Sequence, residues 1–340
     1  MIDAQLIGLL NATLQAATLL FIAALGELIT EKSGILNLGV EGMISVGAVS
    51  GFITAINTEN LFLAVIVGVL SASAFSSIHA FVTVVLKQDQ TVSGLILTIL
   101  GLSLSSLIGK PYVGKKLEVK LTSLIDIAEP SNIFQVLLNQ NLIFYIAILL
   151  MIFTAYILKK TMFGRRIEAI GEDLKSADSM GLKIAKTQFI ATCVGGAFAG
   201  LSGVYLTLSY VPYWTDGMTS GRGWIALALV IFGGWKPYRT AFGALLFGFL
   251  EALGPRLQTY GFEMSPYIVK ITPYIITILV LVFLTIIKNG NTGAPKNIGI
   301  PFFRENRFFE ILFAIKSPLL GIPSKRGLVN SDSVISLLRR

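Results

Sequence analysis

Residues 26–43 read GELITEKSGILNLGVEGM, and in an otherwise apolar chain they gather Glu27, Glu31, Lys32, Asn37 and Glu41 among four glycines. Carboxylates and an amide at this density can hold a proton, pair with a cation or line a hydrated path. Ser33-Gly34 predicts a helix break, because Ser favours an N-cap and Gly disfavours a helix interior. That break divides the charges. Glu27, Glu31 and Lys32 are expected in a solvated turn, whereas Asn37 and Glu41, four apart, fall on one face of the next helix. An intramembrane carboxylate is costly and faces the bundle interior or a watery cavity, unless it lies close enough to the interface to be solvated or paired. Glu41, about two turns into its span, admits both readings. Gly39 and Gly42 would allow close packing beside it, so Asn37, Gly39, Glu41 and Gly42 are the candidates for a translocation path.

Other chemistry is sparse. His79, the single histidine, has no nucleophile or carboxylate near it in sequence and reads as a hydrogen-bonded interior group. The phosphate-loop pattern GxxxxGK[ST] does not occur, so the chain should not hydrolyse ATP unaided, and HExxH and GxSxG do not occur either. One cysteine, Cys193, forms no internal disulfide and gives no metal cluster. The expectation is a non-catalytic protein without cofactor or metal.

The elements that must position these residues follow from composition. Hydrophobic residues are 54% of the 340, charged residues 14%, and the mean hydropathy is +0.76. Such a chain belongs in a bilayer. Its long, non-alternating apolar runs predict helices, because in lipid the backbone must satisfy its own hydrogen bonds. Spans are expected at 6–26, 34–56, 61–86, 91–109, 141–158, 188–210, 222–235, 238–254 and 267–287. The run at 222–235 is short enough to be re-entrant or broken. The N-terminus lacks a basic region and a clear cleavage site, so the first helix is expected to stay as a span. With the N-terminus outside, twenty lysines and arginines fall on the inner side and seven on the outer, which places 159–187 and the C-terminus in the cytoplasm. The net charge of +8 therefore reports orientation and does not call for nucleic acid. Residues 1–287 form the membrane domain and 288–340 a cytoplasmic tail, in which 306–316 could form an amphipathic helix on the lipid surface.

Pairs of small residues four apart, Gly47 and Gly51, Gly196 and Gly200, Ala244 and Gly248, suit close helix packing. The insertion at 159–188 carries charges at helical intervals and glycines at 164, 171 and 181. A connector could be far shorter, so this one is expected to hold a short helix that something touches. Glu251 and Lys270, near the outer ends of successive spans, are expected to form a structural pair without a transport role.

The segment GELITEKSGILNLGVEGM resembles the signature of integral-membrane permeases of bacterial ABC importers, in the branched-chain amino acid and simple-sugar group. It is most similar to the nucleoside-type permeases. RRIEAIGEDLKSADSMGL at 165–182, GRGWIALALVIFGGWKP at 221–237 and GAPKNIGIPFFRE at 293–305 match in the same order. The resemblance implies an all-α polytopic bundle of about eight to ten spans in the bacterial inner membrane. It implies a permease for nucleosides or related solutes, or alternatively simple sugars. The partners implied are cytoplasmic ABC ATPases, a second and different permease subunit, and an external binding lipoprotein. It also implies that the segment holding Arg165, Arg166, Gly171, Glu172, Asp173 and Gly181 contains the helix that docks on the ATPase, and Gly171 and Gly181 are expected to bracket that helix and let the chain turn sharply on both sides. An ion-coupled carrier is the competing class, but it would want more ionisable groups near the bilayer midplane than this sequence offers. Residues 306–340 have no counterpart in the resemblance.

Overall fold

The structure, a computed structural model, describes residues 4–259 apart from 120, 126, 128, 129 and 131, isolated positions within 271–286, and residues 293–303. Eleven α-helices are described: α1 (Ala4–Lys32), α2 (Val40–Thr58), α3 (Leu61–Ala80), α4 (Gln90–Gly109), α5 (Ile133–Leu138), α6 (Leu142–Lys160), α7 (Met162–Glu172), α8 (Leu174–Ser179), α9 (Ile184–Tyr205), α10 (Arg222–Gly233) and α11 (Pro237–Thr259). Their starts are written in the sequence. Asn60, Asp89, Asn132, Asn141, Thr161 and Asp173 each accept a backbone N–H of the first turn, at the head of α3, α4, α5, α6, α7 and α8.

Among the described residues six helices are long and apolar enough to cross a membrane: α1, α2, α3, α4, α6 and α9. The chain is a helical, multi-pass membrane bundle. Three of the nine expected spans differ from expectation: the run at 238–254 forms α11, which is not among the six. The run at 222–235 forms α10, which at twelve residues rises only about 18 Å, too little for a core about 30 Å thick. The run at 34–56 does not begin as helix: residues 33–39 are irregular and α2 starts at Val40. Six described residues of the 267–287 run, Ile271, Ile275, Ile278, Leu279, Val282 and Ile286, are helical and exposed.

The core forms where α2 threads between α3, α4 and α9 while α1 packs on α9 and α11. Small residues set the spacing. A Cβ on Gly47 of α2 would stand 2.5 Å from the Cα of Gly200 on α9, and one on Gly42 would stand 2.7 Å from the Leu97 carbonyl of α4. On Gly248 of α11 it would meet Thr13 and Ala17 of α1 at 2.6 and 2.7 Å. Lipid tails are as apolar as the side chains, so backbone proximity and dispersion hold such helices together. Polar links are few but well placed: Ser202 donates to the Leu19 carbonyl at 2.7 Å and Thr207 to that of Ala48 at 3.2 Å.

Candidate translocation and coupling site

The irregular segment 33–39 sits inside the protein. Gly34 has φ +88°, a left-handed turn that ends α1 at minimal steric cost. Backbone without helix at membrane depth survives only when other groups satisfy it, and four helices supply them. Gln188 of α9 donates to the Ser33 carbonyl (3.0 Å), and Thr98 of α4 donates to that of Leu38 (2.8 Å). The Leu36 N–H donates to Gln90 Oε1 of α4 at 2.7 Å, and the Leu36 carbonyl lies 3.1 Å from His79 Nε2 of α3. A carbonyl only accepts, so in neutral His79 the proton is on Nε2, and Nδ1 takes the Ser93 hydroxyl at 3.0 Å. Asn37 donates from N and Nδ2 to the two Glu27 oxygens at 3.3 and 3.1 Å, and its Oδ1 accepts from Gly39 at 3.0 Å.

This arrangement corrects two expectations. Asn37 and Glu41 do not share a helical face, because Asn37 belongs to the loop and only Glu41 lies on α2. Glu27 and Glu31 are not solvated: each is 2% exposed. Glu27 binds the loop through Asn37, and Glu31 accepts Trp235 Nε1 at 2.6 Å, just beyond α10. Asn37 reaches Glu27 from across the helix break and Trp235 reaches Glu31 from 204 residues away, so position after an apolar run misplaced both in water.

Glu41, 4% exposed, reaches α10. Its carboxylate accepts the N–H groups of Gly221 and Gly223 at 2.8 and 2.5 Å, the first donors of that helix. A helix N-terminus leaves such donors unpaired and carries partial positive charge, so a carboxylate from α2 satisfies both needs. Gly223 has no room for a side chain there: a Cβ would stand 2.5 Å from the Glu41 nitrogen. Beside Glu41, Gly42 allows the close contact with α4, and Gly39 lies 3.1 Å, by its would-be Cβ, from the Leu97 side chain. A cavity of about 280 Å³ lies between α2, α3 and α4, lined by residues such as Val46, Ser50, Val67 and Ser105; Asn37 and Glu41 are not among its walls.

At the other end of α10 the expected docking segment is two helices. Arg165 and Arg166 are exposed on α7. Gly171 does not turn the chain as expected: α7 runs through it, and its bare Cα lies against the end of α1, where a Cβ would stand 2.2 Å from the Lys32 carbonyl. The bend falls at Asp173, which caps α8 by accepting from Lys175 and Ser176 at 3.0 and 3.1 Å. The Ser176 hydroxyl and N–H hold its carboxyl below the ordinary aspartate value. Gly181, φ +74°, ends the unit in open space. Lys32 pairs with Glu168 at 3.2 Å, and Lys296 with Glu172 at 3.7 Å. The GAPKNIGIPFFRE segment ties both parts together. Asn297 N–H donates to the Gly171 carbonyl at 2.9 Å and Gly299 N–H to that of Gly34 at 3.2 Å. Phe302 packs on the Ile170, Leu174, Ala177 and Ile184 cluster.

Near the head of α10, Arg222 Nη2 meets Glu251 of α11 at 2.6 Å. Tyr210, on the π-helical turn that ends α9, donates to the same carboxylate oxygen at 3.4 Å, and its ring lies 5.5 Å from the guanidinium. Lys270, the partner expected for Glu251, lies outside the described residues, as does 306–316. Sequence reasoning missed Trp235, Arg222, Gln90 and Gln188. The available signal was the rarity of a polar side chain in an apolar run.

The fold is a bundle of helices long and apolar enough to cross a membrane, with a half-length helix capped inside it and a polar helical pair tied to its loop. By sequence the chain belongs to the family described as branched-chain amino acid transport system / permease component, whose pattern matches residues 9–284. "Putative glucose ABC transporter permease protein TsgC13" of Haloferax volcanii is 40% identical over 268 residues, 76% of this chain and 80% of that one. "Guanosine ABC transporter permease protein NupQ" of Bacillus subtilis is 32% identical over 314 residues, 87% of this chain and 96% of that one. A solved structure described as "An inward-facing conformation of a putative metal-chelate type ABC transporter" is 15% identical, covers 82% of this chain and 85% of its own, and superposes with a TM-score of 0.47.

Proposed function

We propose that this permease imports nucleosides or related ribosides as one of two different membrane subunits, in a bacterial cytoplasmic membrane. Cytoplasmic ABC ATPases supply the energy, and an external binding lipoprotein delivers the solute. The observation that carries this reading is the alignment with the guanosine permease, which spans 87% of this chain and 96% of that one. The α7–α8 pair, offering exposed Arg165, Arg166 and Glu172, is the surface for the ATPase. Glu41 holds α10 in place and is not itself a solute ligand.

A simple sugar is the second reading, favoured by the 40% identity to the glucose-named relative. Both solute classes are neutral and polyhydroxylated, so one polar path could serve either. The test is uptake of labelled guanosine and glucose into vesicles holding the complete complex with its binding protein. Guanosine uptake that depends on ATP supports the first reading. Glucose uptake alone replaces it with the second, and uptake of neither overturns both.

A further inference from the structure

The head of α10 lies inside the bundle, where Glu41 of α2 closes it. Trp235 and Lys236, just past its end, stand beside Glu31 at the end of α1 that carries α7. Counting back from Gly233, Arg222 is about 17 Å deeper, and Glu251 is about 21 Å along α11 from Pro237. Both fall within a hydrocarbon core about 30 Å thick. The carboxylates Glu27, Glu31 and Glu41 are at most 4% exposed. The Arg222 and Glu251 side chains instead keep 15% and 25% of their surface open. Charged groups at this depth face the bundle interior or water and avoid lipid. This pair is not sealed in the interior, so water or polar protein must meet it.

Its setting fits a solute. Discontinuous helices that start near the midplane are where transporters place binding groups, because such breaks leave oriented polar groups without a continuous helix. Two further atoms there, Thr219 Oγ1 and Arg222 Nε, have no hydrogen-bond partner. The pair is neutral as a unit, which suits an uncharged ligand rich in hydroxyl or amide groups. Tyr210 adds an aromatic face on which a sugar ring or a base can stack.

We infer that Arg222, Glu251 and Tyr210 line the water-filled translocation path and hydrogen-bond a neutral, polyhydroxylated solute partway across the membrane. The inference rests on the permease reading above and adds to it the place where this chain touches its cargo. It gives Glu251 a transport role that a purely structural pair would not have.

Two measurements on the complete complex in vesicles test it. The first starts from Cys193→Ala and adds Tyr210→Cys, then applies a charged, membrane-impermeant methanethiosulfonate. Labelling is expected, slowed several-fold by whichever of guanosine or glucose the unmodified complex imports. A cysteine that stays unlabelled faces lipid or the second permease, and the inference falls. The second exchanges the charges with Arg222→Glu and Glu251→Arg together, so that neither charge is stranded alone. Membrane content should hold, while uptake drops at least tenfold. A merely structural pair would regain full uptake in the exchanged protein, and that result overturns the assignment. If the unmodified complex imports neither solute, the functional reading fails on its own, whereas labelling still decides whether the three residues line water.

Discussion

The Glu41 carboxylate on α2 accepts the backbone N–H of Gly223 on α10, 182 residues away, at 2.5 Å. It also accepts that of Gly221, so one acidic side chain closes the N-terminus of a half-length helix inside the bundle. A sequence read locally treats Glu41 as a carboxylate that needs water. The fold instead answers it with two amides and the positive end of a helix.

Glu41→Gln keeps one oxygen as acceptor but loses the charge, so one of the two N–H groups is poorly satisfied. The expected loss is about 1.5–3 kcal/mol, the range for hydrogen bonds to charged groups, with a larger loss for Glu41→Ala. Thermal unfolding of the purified permease in detergent measures it. A Glu41→Gln protein as stable as the parent, but inactive in transport, would mean that the carboxylate serves the solute and not the helix.

Trp235 and Glu31 give a second test. Trp235→Phe keeps an aromatic ring but removes the indole N–H that meets Glu31 at 2.6 Å, together with part of the ring volume. A buried carboxylate that loses a donor costs about 1–3 kcal/mol or more. Glu31→Gln in the same protein should recover part of that loss, because an amide is cheaper to leave underbonded than a charge. Equal losses that simply add in the double variant would show that the two groups do not interact.

The glycine spacing supports a third. Gly47 of α2 and Gly200 of α9 meet with no space for a Cβ. Gly200→Val must push α9 away from Ala72 and Gly68 of α3. Overpacking of this kind costs about 1–3 kcal/mol. The expected result is a lower unfolding temperature and less protein in the membrane. Gly181→Val, where a side chain meets nothing within 4 Å, should leave the bundle intact and strain only its own turn.

What the sequence disclosed and withheld divides along physical lines. Most spans and the break at Ser33-Gly34 depend on local patterns, and those were legible, although Ser33 caps no helix: its hydroxyl donates back to Thr30 and α2 starts at Val40 behind Gly39. The burial of Glu27 and Glu31 was not, because it depends on Asn37 and Trp235 arriving from elsewhere. Asn37 was assigned to a helix for the same reason. The apolar run around it looks continuous, and only side chains from α1, α3, α4 and α9 make the non-helical path affordable. Gly171 looked like a hinge because glycine permits turns, yet here it serves the contact with Lys32 and Pro295.

That contact leads to the prediction on coupling. Any push on α7 and α8 must reach the 33–39 loop, and two backbone hydrogen bonds from one segment span the gap: Asn297 to Gly171 and Gly299 to Gly34. Both use main-chain donors, so side-chain changes at Asn297 should be mild. Asn297→Pro removes the N–H itself and leaves the Gly171 carbonyl without that partner. Asn297→Ala keeps it and serves as the control. The proline protein should still insert and still bind the ATPase through α7 and α8, because Arg165, Arg166 and Glu172 are unchanged. Its solute uptake per ATP hydrolysed should fall several-fold, with the alanine protein near the parent value. If both proteins keep the parent ratio, the segment at 293–303 is packing alone, and force passes from α7 to the loop through the Gly171–Lys32 contact without it.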